Sequence, residues 1–387
     1  MEGIDLHPSG NQSLSFCTDY PSIIERMQAV DPIQYASSRN YINGAVSYLS
    51  PYISRGVVSL PQVLEAVLQK GYKLHEIEKW LQELAWREYY QRVWQVKQTA
   101  LQNDLTQSQP GVLHHRMVNA LEQASTGITV IDEQINSLYK TGYMHNHVRM
   151  YIASIACNIA RAHWYAPAQW LYYHLLDADI ASNTCSWQWV AAAFGTKKYF
   201  CNQENINRYT NTEQYHTFLD HSYEQLPLQP VPGILQEATD LSFITPLPAT
   251  ALPYIDTSKP TLLYNSYNLD PLWRKNEQVN RVLLLEPSHF TQHPVSSKLI
   301  KFILDLAINI DELQVYCGEV SSLTDLYNGS AYTVNDAFIS KEHPAFTHYP
   351  GKKDQRDWLY PQVEGHYPSF FKYWKQCQRQ KVAVKKT

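Results

Sequence analysis

A cluster of prolines divides this chain of 387 residues into two parts with different hydrophobic patterns. Seven of the 21 prolines fall between residues 227 and 260, a density that interrupts regular secondary structure. Before the cluster, apolar residues recur at helical spacing, as in 57–69 and 76–96, so we expect about the first 220 residues to be all helical. The proline-rich segment therefore predicts a connector between two folded domains.

The part beyond the prolines has the pattern of a small α/β unit. Residues 262–264, 282–285 and 313–317 are short apolar runs typical of buried strands. Between the last two runs, apolar residues follow helical spacing after Pro294, which predicts a helix in a parallel sheet unit. We expect four regions: a helical domain (1–225), a connector (226–260), an α/β unit (261–350) and an aromatic, basic tail (351–387).

Composition excludes several classes of protein. A content of 44% hydrophobic and 18% charged residues is typical of a folded globular chain. The formal net charge of −4 provides no strong positive field, so a nucleic-acid site has to be a local patch. Six cysteines without a CxxC pair are sparse, as in reduced cytosolic proteins. The first residues are acidic where a signal peptide needs positive charge, and no later run approaches about 20 apolar residues. We expect a cytoplasmic protein without a membrane segment.

The aromatic content and the pair of histidines at 145 and 147 each have a structural explanation as well as a functional one. The aromatic content of 13% exceeds what a core of this size needs, and rings also stack on flat ligands, although most rings in a protein fill its core. His145 and His147 are two residues apart as in some metal sites, but they lack a third ligand at suitable spacing. We therefore predict no metal site.

Four segments of the helical part, taken together, resemble a known family. They are VSYLSPYISRGVVSL (46–60), ELAWREYY (83–90), TGITVIDEQINSLYKTGYMHNHVRM (126–150) and LLDADIASNTCSWQW (175–189). In this order and spacing they resemble the flavin-binding domain of the DNA photolyase and cryptochrome family. The resemblance implies a mostly α fold, with an all-helical photolyase-type FAD-binding domain followed by a small, Rossmann-like α/β unit. It also implies FAD as the cofactor.

Polar residues of these segments have two interpretations. Ser47 and Ser50 precede a helix, where hydroxyl and free N–H groups either cap the helix or hold a diphosphate. Arg149 and Asp177 are charges in apolar segments, which need each other or a polar ligand as partners. The resemblance implies a flavin ligand in both cases, with Asn183 beside the flavin N5. It assigns FAD binding to Tyr35, Ser47, Leu49, Ser50, Arg87, Arg149, Asp177, Asp179 and Asn183.

The resemblance further implies a pocket for damaged DNA. Photolyases extrude their target from the duplex and stack it on aromatic or apolar side chains. Without the resemblance, Glu83 and Arg87 are a favourable pair four residues apart on one helix, and the tryptophans are core residues. With it, catalytic roles fall to Glu83 and Asn146, and substrate binding to Trp86, Met150 and Trp189.

An electron-transfer chain is implied in the same way. Trp187 and Trp164 match the two inner tryptophans of the family's photoreduction chain and are assigned catalytic roles. The outermost position aligns near Gly111, where this chain has no tryptophan. Either the electron path continues through another ring, such as Trp94 or a tyrosine, or photoreduction of the flavin is inefficient.

Departures from the family pattern bear on DNA binding and on a second chromophore. His147 and Cys201 stand where the family has arginines, and residues 1–220 contain 16 basic and 19 acidic residues, a balance of −3. Arg39, Lys197 and Lys198 could compensate, so we expect weak, salt-sensitive binding to dimer-containing DNA, including single-stranded DNA. The usual antenna domain is not expected in front of the flavin domain. Residues 281–319 only loosely resemble part of it, and we assign no second chromophore.

Three classes of function stay open. The first is a deoxyribodipyrimidine photo-lyase-like enzyme, in which light drives an electron from reduced FAD to a cyclobutane pyrimidine dimer. The full set of lesion-facing residues and Asn183 favour it. The second is a cryptochrome-like blue-light or redox sensor with a protein partner, favoured by the lost arginines, the acidic balance and the basic tail. The third is a helical scaffold without flavin. It is disfavoured because it does not explain why Arg and Asp residues lie in apolar segments.

Overall fold

The computed structural model describes residues 14–329 and 333–385. Its N-terminal part consists of helices packed around one core. Their bounds are α1 (Tyr20–Gln28), α2 (Pro32–Ser38), α3 (Ser50–Ser54), α4 (Leu60–Leu68), α5 (Glu78–Lys97), α6 (Asn119–Glu122), α7 (Thr129–Thr141), α8 (Asn146–Ser154), α9 (Tyr165–His174), α10 (Ile180–Val190) and α11 (Gln203–Thr210). A π-helical turn, Ile155–Ile159, continues α8.

Local sequence sets the ends of the helices that matter for the site. Helix α4 begins with a capping box, in which Ser59 and Gln62 satisfy each other's backbone N–H groups. Helix α10 is capped by Asp179, whose side chain accepts from the Ser182 N–H. Helix α7 ends at Gly142, which has a φ of +74° and whose missing Cβ would lie 2.7 Å from Leu176 Cγ. Only glycine allows both that backbone conformation and that close approach.

The C-terminal part contains a parallel five-stranded sheet with the order β5-β4-β3-β6-β7. Its strands are β3 (Thr261–Tyr264), β4 (Asn280–Leu285), β5 (Leu313–Cys317), β6 (Phe338–Lys341) and β7 (Lys352–Asp354). The remaining helices are α12 (Pro287–Gln292), α13 (Ser297–Ala307), α14 (Val320–Thr324), α15 (Val334–Ala337) and α16 (Phe370–Cys377). The predicted fold class, a helical domain followed by a small α/β unit, is confirmed.

The proline-rich segment has little regular secondary structure and contacts the helical part, where Phe243 stacks on Tyr173. Within it, β2 (Ala238–Thr239) pairs antiparallel with β1 (Met117–Val118). The pairing adds a two-residue strand to a part of the chain predicted to be all helical. The exact domain bounds stay a prediction.

The C-terminal tail packs back onto helix α5. The buried Glu88 carboxylate accepts hydrogen bonds from the backbone N–H groups of Leu359 and Tyr360 and from the Tyr373 hydroxyl. The Arg92 guanidinium lies 3.6 Å from the centre of the Trp358 ring, a cation–π contact. These contacts bring α16 beside the residues of α5 that the sequence assigned to the site.

The helices within 14–329 and 333–385 include none that is both long and apolar enough to cross a bilayer.

Candidate functional site

Three partly exposed tyrosines, Tyr35, Tyr90 and Tyr143, lie near one another in the helical domain, and we call this group the tyrosine recess. Burial raises the pKa of Tyr35, Tyr90 and Tyr143, yet each side chain retains accessible surface. The charge of Glu83 also raises the pKa of Tyr35 and Tyr90, and the charge of Tyr35 raises that of Tyr143, so the three rings lie in one part of the helical domain.

An ion pair borders this recess. Arg149 Nη2 lies 3.0 Å from Asp177 Oδ2, and the Arg149 Nε donates to the Met144 carbonyl oxygen. The guanidinium also lies 5.5 Å from the centre of the Tyr143 ring. Asp177 is buried, but its Oδ1 has no protein hydrogen-bond partner. Such a group has lost hydration without replacement and is suited to accept a hydrogen bond from a ligand.

The loop that carries the serines precedes α3. Ser47 Oγ accepts from the Leu49 N–H at 3.4 Å, and Ser50 is the first residue of α3. Tyr48 between them has a φ of +52°, a conformation that is costly for a residue with a side chain. Its ring packs 5.3 Å from the ring of Tyr143. The strained backbone therefore brings the serine loop to the tyrosine recess.

Asp179 and Arg87 form a second polar group. Both Asp179 oxygens accept from Gln91 Nε2, at 2.9 and 2.8 Å, and Arg87 Nη2 lies 3.4 Å from Oδ2. Arg87 also donates to Ser54 Oγ at 3.1 Å. These residues line a cavity of about 120 Å³ whose opposite wall comes from the α/β unit and the C-terminal tail, including Tyr267, Lys341, His343, Arg356 and Trp358.

Asn183 joins helices α9 and α10. Its Nδ2 donates to the Ala168 carbonyl oxygen at 2.9 Å. Trp187 lies one turn further along α10, and Trp164 lies one turn before Ala168 at the start of α9. Both indoles are buried, with exposed fractions of 2% and 1%. Asn183 thus links the two helices near the positions of these tryptophans.

The residues assigned to catalysis at the lesion, Glu83 and Asn146, and those assigned to substrate binding differ in their exposure. Glu83 Oε1 forms an ion pair with Arg39 Nη2 at 3.0 Å, and burial raises the pKa of Glu83 although Arg39 opposes that shift. Asn146 is exposed at the start of α8, and Met150 one turn later is half-buried. Trp189 retains 39% of its surface, with the Tyr199 ring 5.9 Å away.

Trp86 is covered on one face by the C-terminal helix. The Phe370 ring stacks on the indole with centroids 3.8 Å apart and an interplanar angle of 12°. Phe370 itself is buried, and the Tyr90 ring lies 5.5 Å from Trp86 on another side. One face of the assigned stacking residue is therefore already occupied by the protein.

The positions that lack the family's arginines supply no cation. The His147 ring lies between Tyr151 and Tyr209, and burial lowers its pKa to about 4, with Arg39 adding to the shift. Cys201 is fully buried, and its N–H donates to Ser154 Oγ. Of the compensating cations, Arg39 is engaged with Glu83, and burial lowers the pKa of Lys198.

FAD fits this chemistry. The tyrosine walls suit a flat ring system, and the unpaired Asp177 Oδ1 can accept from a ligand N–H or O–H group. The serine loop offers hydroxyls beside a helix start for phosphate oxygens. The groups of His, Cys, Asp and Glu among the described residues include none that could hold a metal ion. The individual site assignments stay predictions.

Sequence reasoning missed several residues of the site. Tyr90 and Tyr143 lie inside the matched segments, and their position beside charged residues in those motifs could have drawn attention to them. Gln91 and Phe370 carry no local sequence signal, since their partners, Asp179 and Trp86, are distant along the chain.

Comparison with known proteins identifies relatives of the helical part. Residues 80–223 match the family described as the FAD binding domain of DNA photolyase. A deoxyribodipyrimidine photo-lyase of a Synechococcus strain is 30% identical over 169 residues, which cover 41% of this chain and 35% of that protein. The enzyme of the same name from Vibrio cholerae is 29% identical over 158 residues, 38% of this chain and 33% of its own length. The chain thus spans about a third of the length of these curated relatives.

A solved structure is also similar to part of the chain. The cryptochrome of Synechocystis sp. PCC6803 aligns with 52% of this chain and 45% of its own, at 23% identity and a TM-score of 0.46.

Proposed function

We propose that this protein repairs cyclobutane pyrimidine dimers in DNA with light, because residues 80–223 match the FAD binding domain of DNA photolyase. The observation that supports the proposal most is the buried Asp177 carboxylate, which pairs with Arg149 through Oδ2 beside the Tyr143 ring and has no protein partner at Oδ1. When bound, reduced FAD supplies the electron that opens the dimer under light and receives it back afterwards. The proposed location is the cytoplasm.

The cofactor-binding residues have separate tasks in this proposal. Arg149 fixes the Asp177 carboxylate through Oδ2, which leaves Oδ1 free to accept from the ligand. The Ser47 and Ser50 hydroxyls receive phosphate oxygens. Asn183 contributes a neutral amide beside the ring system, so that no negative charge opposes a reduced flavin. The tyrosine walls exclude water from the recess.

The catalytic residues Glu83 and Asn146 and the substrate-binding residues would contact the lesion. The Glu83 carboxyl, whose pKa burial raises, is suited to hydrogen bond a carbonyl oxygen of an extruded base. Asn146 supplies an exposed amide, and the exposed part of Trp189 a stacking surface. We propose weak and salt-sensitive binding to DNA with exposed pyrimidine dimers, because His147 and Cys201 contribute no positive charge.

The test combines flavin analysis with a repair assay. Purified protein is expected to carry FAD and, after chemical reduction, to remove dimers from single-stranded DNA under blue light. Glu83→Ala should lower the repair rate by roughly 100-fold, as expected for loss of a group that shares a proton with the substrate, while the FAD content is unchanged. The exposed Glu133→Ala is the control and should behave as the wild type.

Two results would count against repair. Dimers that persist in the presence of fully reduced FAD exclude the activity. An equal loss of FAD and of repair in Glu83→Ala would mean that Glu83 is structural.

One observation favours the second candidate, a cryptochrome-like light or redox sensor. The Phe370 ring already stacks on Trp86, so the C-terminal helix occupies one face of the residue assigned to hold the lesion. A sensor would release this helix when the flavin is reduced and expose it to a partner. Limited proteolysis tests this reading: faster cleavage within α16 after illumination, in a protein that repairs no dimers, would favour the sensor.

A further inference from the structure

Trp164 donates a short hydrogen bond to a carboxylate. Its Nε1 lies 2.6 Å from Asp104 Oδ1, while the indole itself has an exposed fraction of only 1%. A charge-assisted bond of this length is among the stronger hydrogen bonds in proteins. The reactive N–H of a buried ring therefore points directly at a base.

The other contacts of Asp104 also suit a carboxylate that accepts. His163 Nε2 lies 3.3 Å from the same Oδ1, and the Gln109 N–H donates to Oδ2 at 2.8 Å. The His163 Nδ1 accepts from the Tyr165 N–H, so in the neutral ring Nε2 carries the proton and donates to Asp104. The Asp104 side chain is 20% exposed, which connects the buried indole to solvent.

Trp164 and Trp187 lie on neighbouring helices that pack against each other. The Asn183–Ala168 hydrogen bond fixes α9 against α10, and the two tryptophans lie one turn away from it on the facing helices. Beyond Trp164, the segment that aligns with the family's outer tryptophan supplies histidine instead: His115 stacks on His163 with centroids 4.6 Å apart. A neutral imidazole is a poorer electron donor than an indole, so the electron path has no obvious continuation there.

We propose that Asp104 takes the indole proton of oxidised Trp164 and thereby ends the electron path at this residue. The proposal rests on the proposed flavin function. When FAD is bound, Trp187 would lose one electron to the photoexcited, oxidised cofactor, and Trp164 would pass one electron to Trp187. The Trp164 N–H bond then breaks, the proton moves to Asp104 Oδ1, and a neutral indole radical remains. Asp104 releases the proton to water, and an external thiol later returns one electron and one proton to Trp164.

The physical consequence is a longer-lived charge separation. While Trp164 keeps its proton, its radical cation can recover the electron from Trp187 at once. After proton transfer, that return also requires the proton to move back. Loss of a proton to Asp104 thus prolongs the charge separation, as a third tryptophan would by increasing the distance between the separated charges.

Flash photolysis of the FAD-loaded protein tests the proposal. In the wild type we expect a neutral tryptophan radical, distinguished from the radical cation by its visible spectrum, that forms more slowly in D₂O. Asp104→Asn keeps an acceptor oxygen but not the base, and should leave a radical cation that decays roughly 100-fold faster. Asp104→Glu restores a carboxylate and should recover the neutral radical at least in part.

Two control variants sharpen the experiment. Asp132→Asn makes the same chemical change at a carboxylate that accepts from Thr126 and Gly127, and should not alter the radical. Tyr165 is the competing exit, since its half-buried ring lies 5.4 Å from that of Trp164. Tyr165→Phe should leave the neutral radical intact. Its loss in Tyr165→Phe, or its persistence in Asp104→Asn, overturns the proposal.

A readout without light or flavin chemistry completes the test. The Trp164 Nε1 proton should give a downfield NMR resonance that moves upfield in Asp104→Asn, and an unmoved resonance would refute the hydrogen bond. A wild type that forms the neutral radical but repairs no dimers would refute repair and leave the role of Asp104 standing. Repair without that radical would refute the role of Asp104 and leave the repair function standing. Protein that binds no FAD would refute both proposals.

Discussion

Buried carboxylates in this protein differ in how completely their neighbours satisfy them. Glu88 accepts from two backbone N–H groups and one hydroxyl, which explains a structural role in holding the C-terminal tail. Asp177 has Arg149 at Oδ2 but no partner at Oδ1. An unsatisfied buried polar group costs about 1–3 kcal/mol, which a ligand donor would recover. The difference points to Asp177 as a ligand contact and to Glu88 as a structural residue.

Asp177→Asn should therefore affect stability and cofactor binding together. Removing one charge of the pair leaves the Arg149 guanidinium uncompensated and should lower the free energy of unfolding by roughly 3 kcal/mol, since Arg149 is mostly buried. Urea denaturation measures this change, and FAD titration should show weaker binding. Asp305→Asn breaks an exposed pair with Lys301 and should change stability by less than about 1 kcal/mol. Equal stability of the two variants would contradict the expected burial effect.

Helix α5 connects the recess, the second cavity and the C-terminal tail. Glu83 and Tyr90 face the tyrosine recess, and Gln91 holds Asp179 at the cavity beside the sheet. Glu88 and Trp86 contact the tail, where α16 packs across α5. Because one helix contributes to all three, a change in the packing of α16 reaches the residues assigned to the flavin and to the lesion.

Adjacent phenylalanines of α16 provide a matched pair to test this packing. Phe370 is 2% exposed and stacks on Trp86, whereas Phe371 is 70% exposed. Phe370→Ala should lower the free energy of unfolding by about 3–4 kcal/mol through loss of buried surface and the cavity left behind. Phe371→Ala should stay within about 0.5 kcal/mol of the wild type. Similar unfolding curves for both variants would show that α16 does not pack on α5 in solution.

Across the whole molecule, several histidines are buried in both the helical part and the α/β unit. Burial is the largest cause that lowers the pKa of His145, His147, His174 and His293 to about 4, and that of His289 to about 3. The ordinary value is 6.5. The folded protein therefore keeps these rings neutral at a pH where the unfolded chain binds protons. Both parts of the chain share this property, so acid should weaken them together.

Stability should fall as the pH is lowered from 6.5 towards 4. In this window the unfolded state binds more protons than the folded state, so the free energy of unfolding decreases on acidification and is fully recovered above pH 6.5. Thermal denaturation between pH 7.5 and 4.5 measures the effect. His147→Phe, which keeps a ring between Tyr151 and Tyr209, should reduce the slope, whereas exposed His75→Asn should not. A melting temperature that stays constant over this range would contradict the assigned burial.

The sequence determined the elements whose pattern is local. The strands at 262–264, 282–285 and 313–317 and the long helix at 76–96 were predictable, because hydrophobic period and buried runs reflect the faces of single elements. Strands β6 and β7 were not predicted, since Lys352–Asp354 is polar and joins the sheet only by pairing with β6. The family resemblance depended on motifs that are likewise contiguous in the chain.

Tertiary structure decided which distant residues meet. Arg149 and Asp177 could be paired in advance only as two charges in need of a partner, but the free Oδ1 of Asp177 depends on the exact packing around it. The contacts of Phe370 with Trp86 and of Asp104 with Trp164 span 284 and 60 residues of sequence, and no local pattern encodes them. Periodicity fixes which face of an element is apolar, whereas the identity of the side chain on the opposite surface is set only when the elements pack.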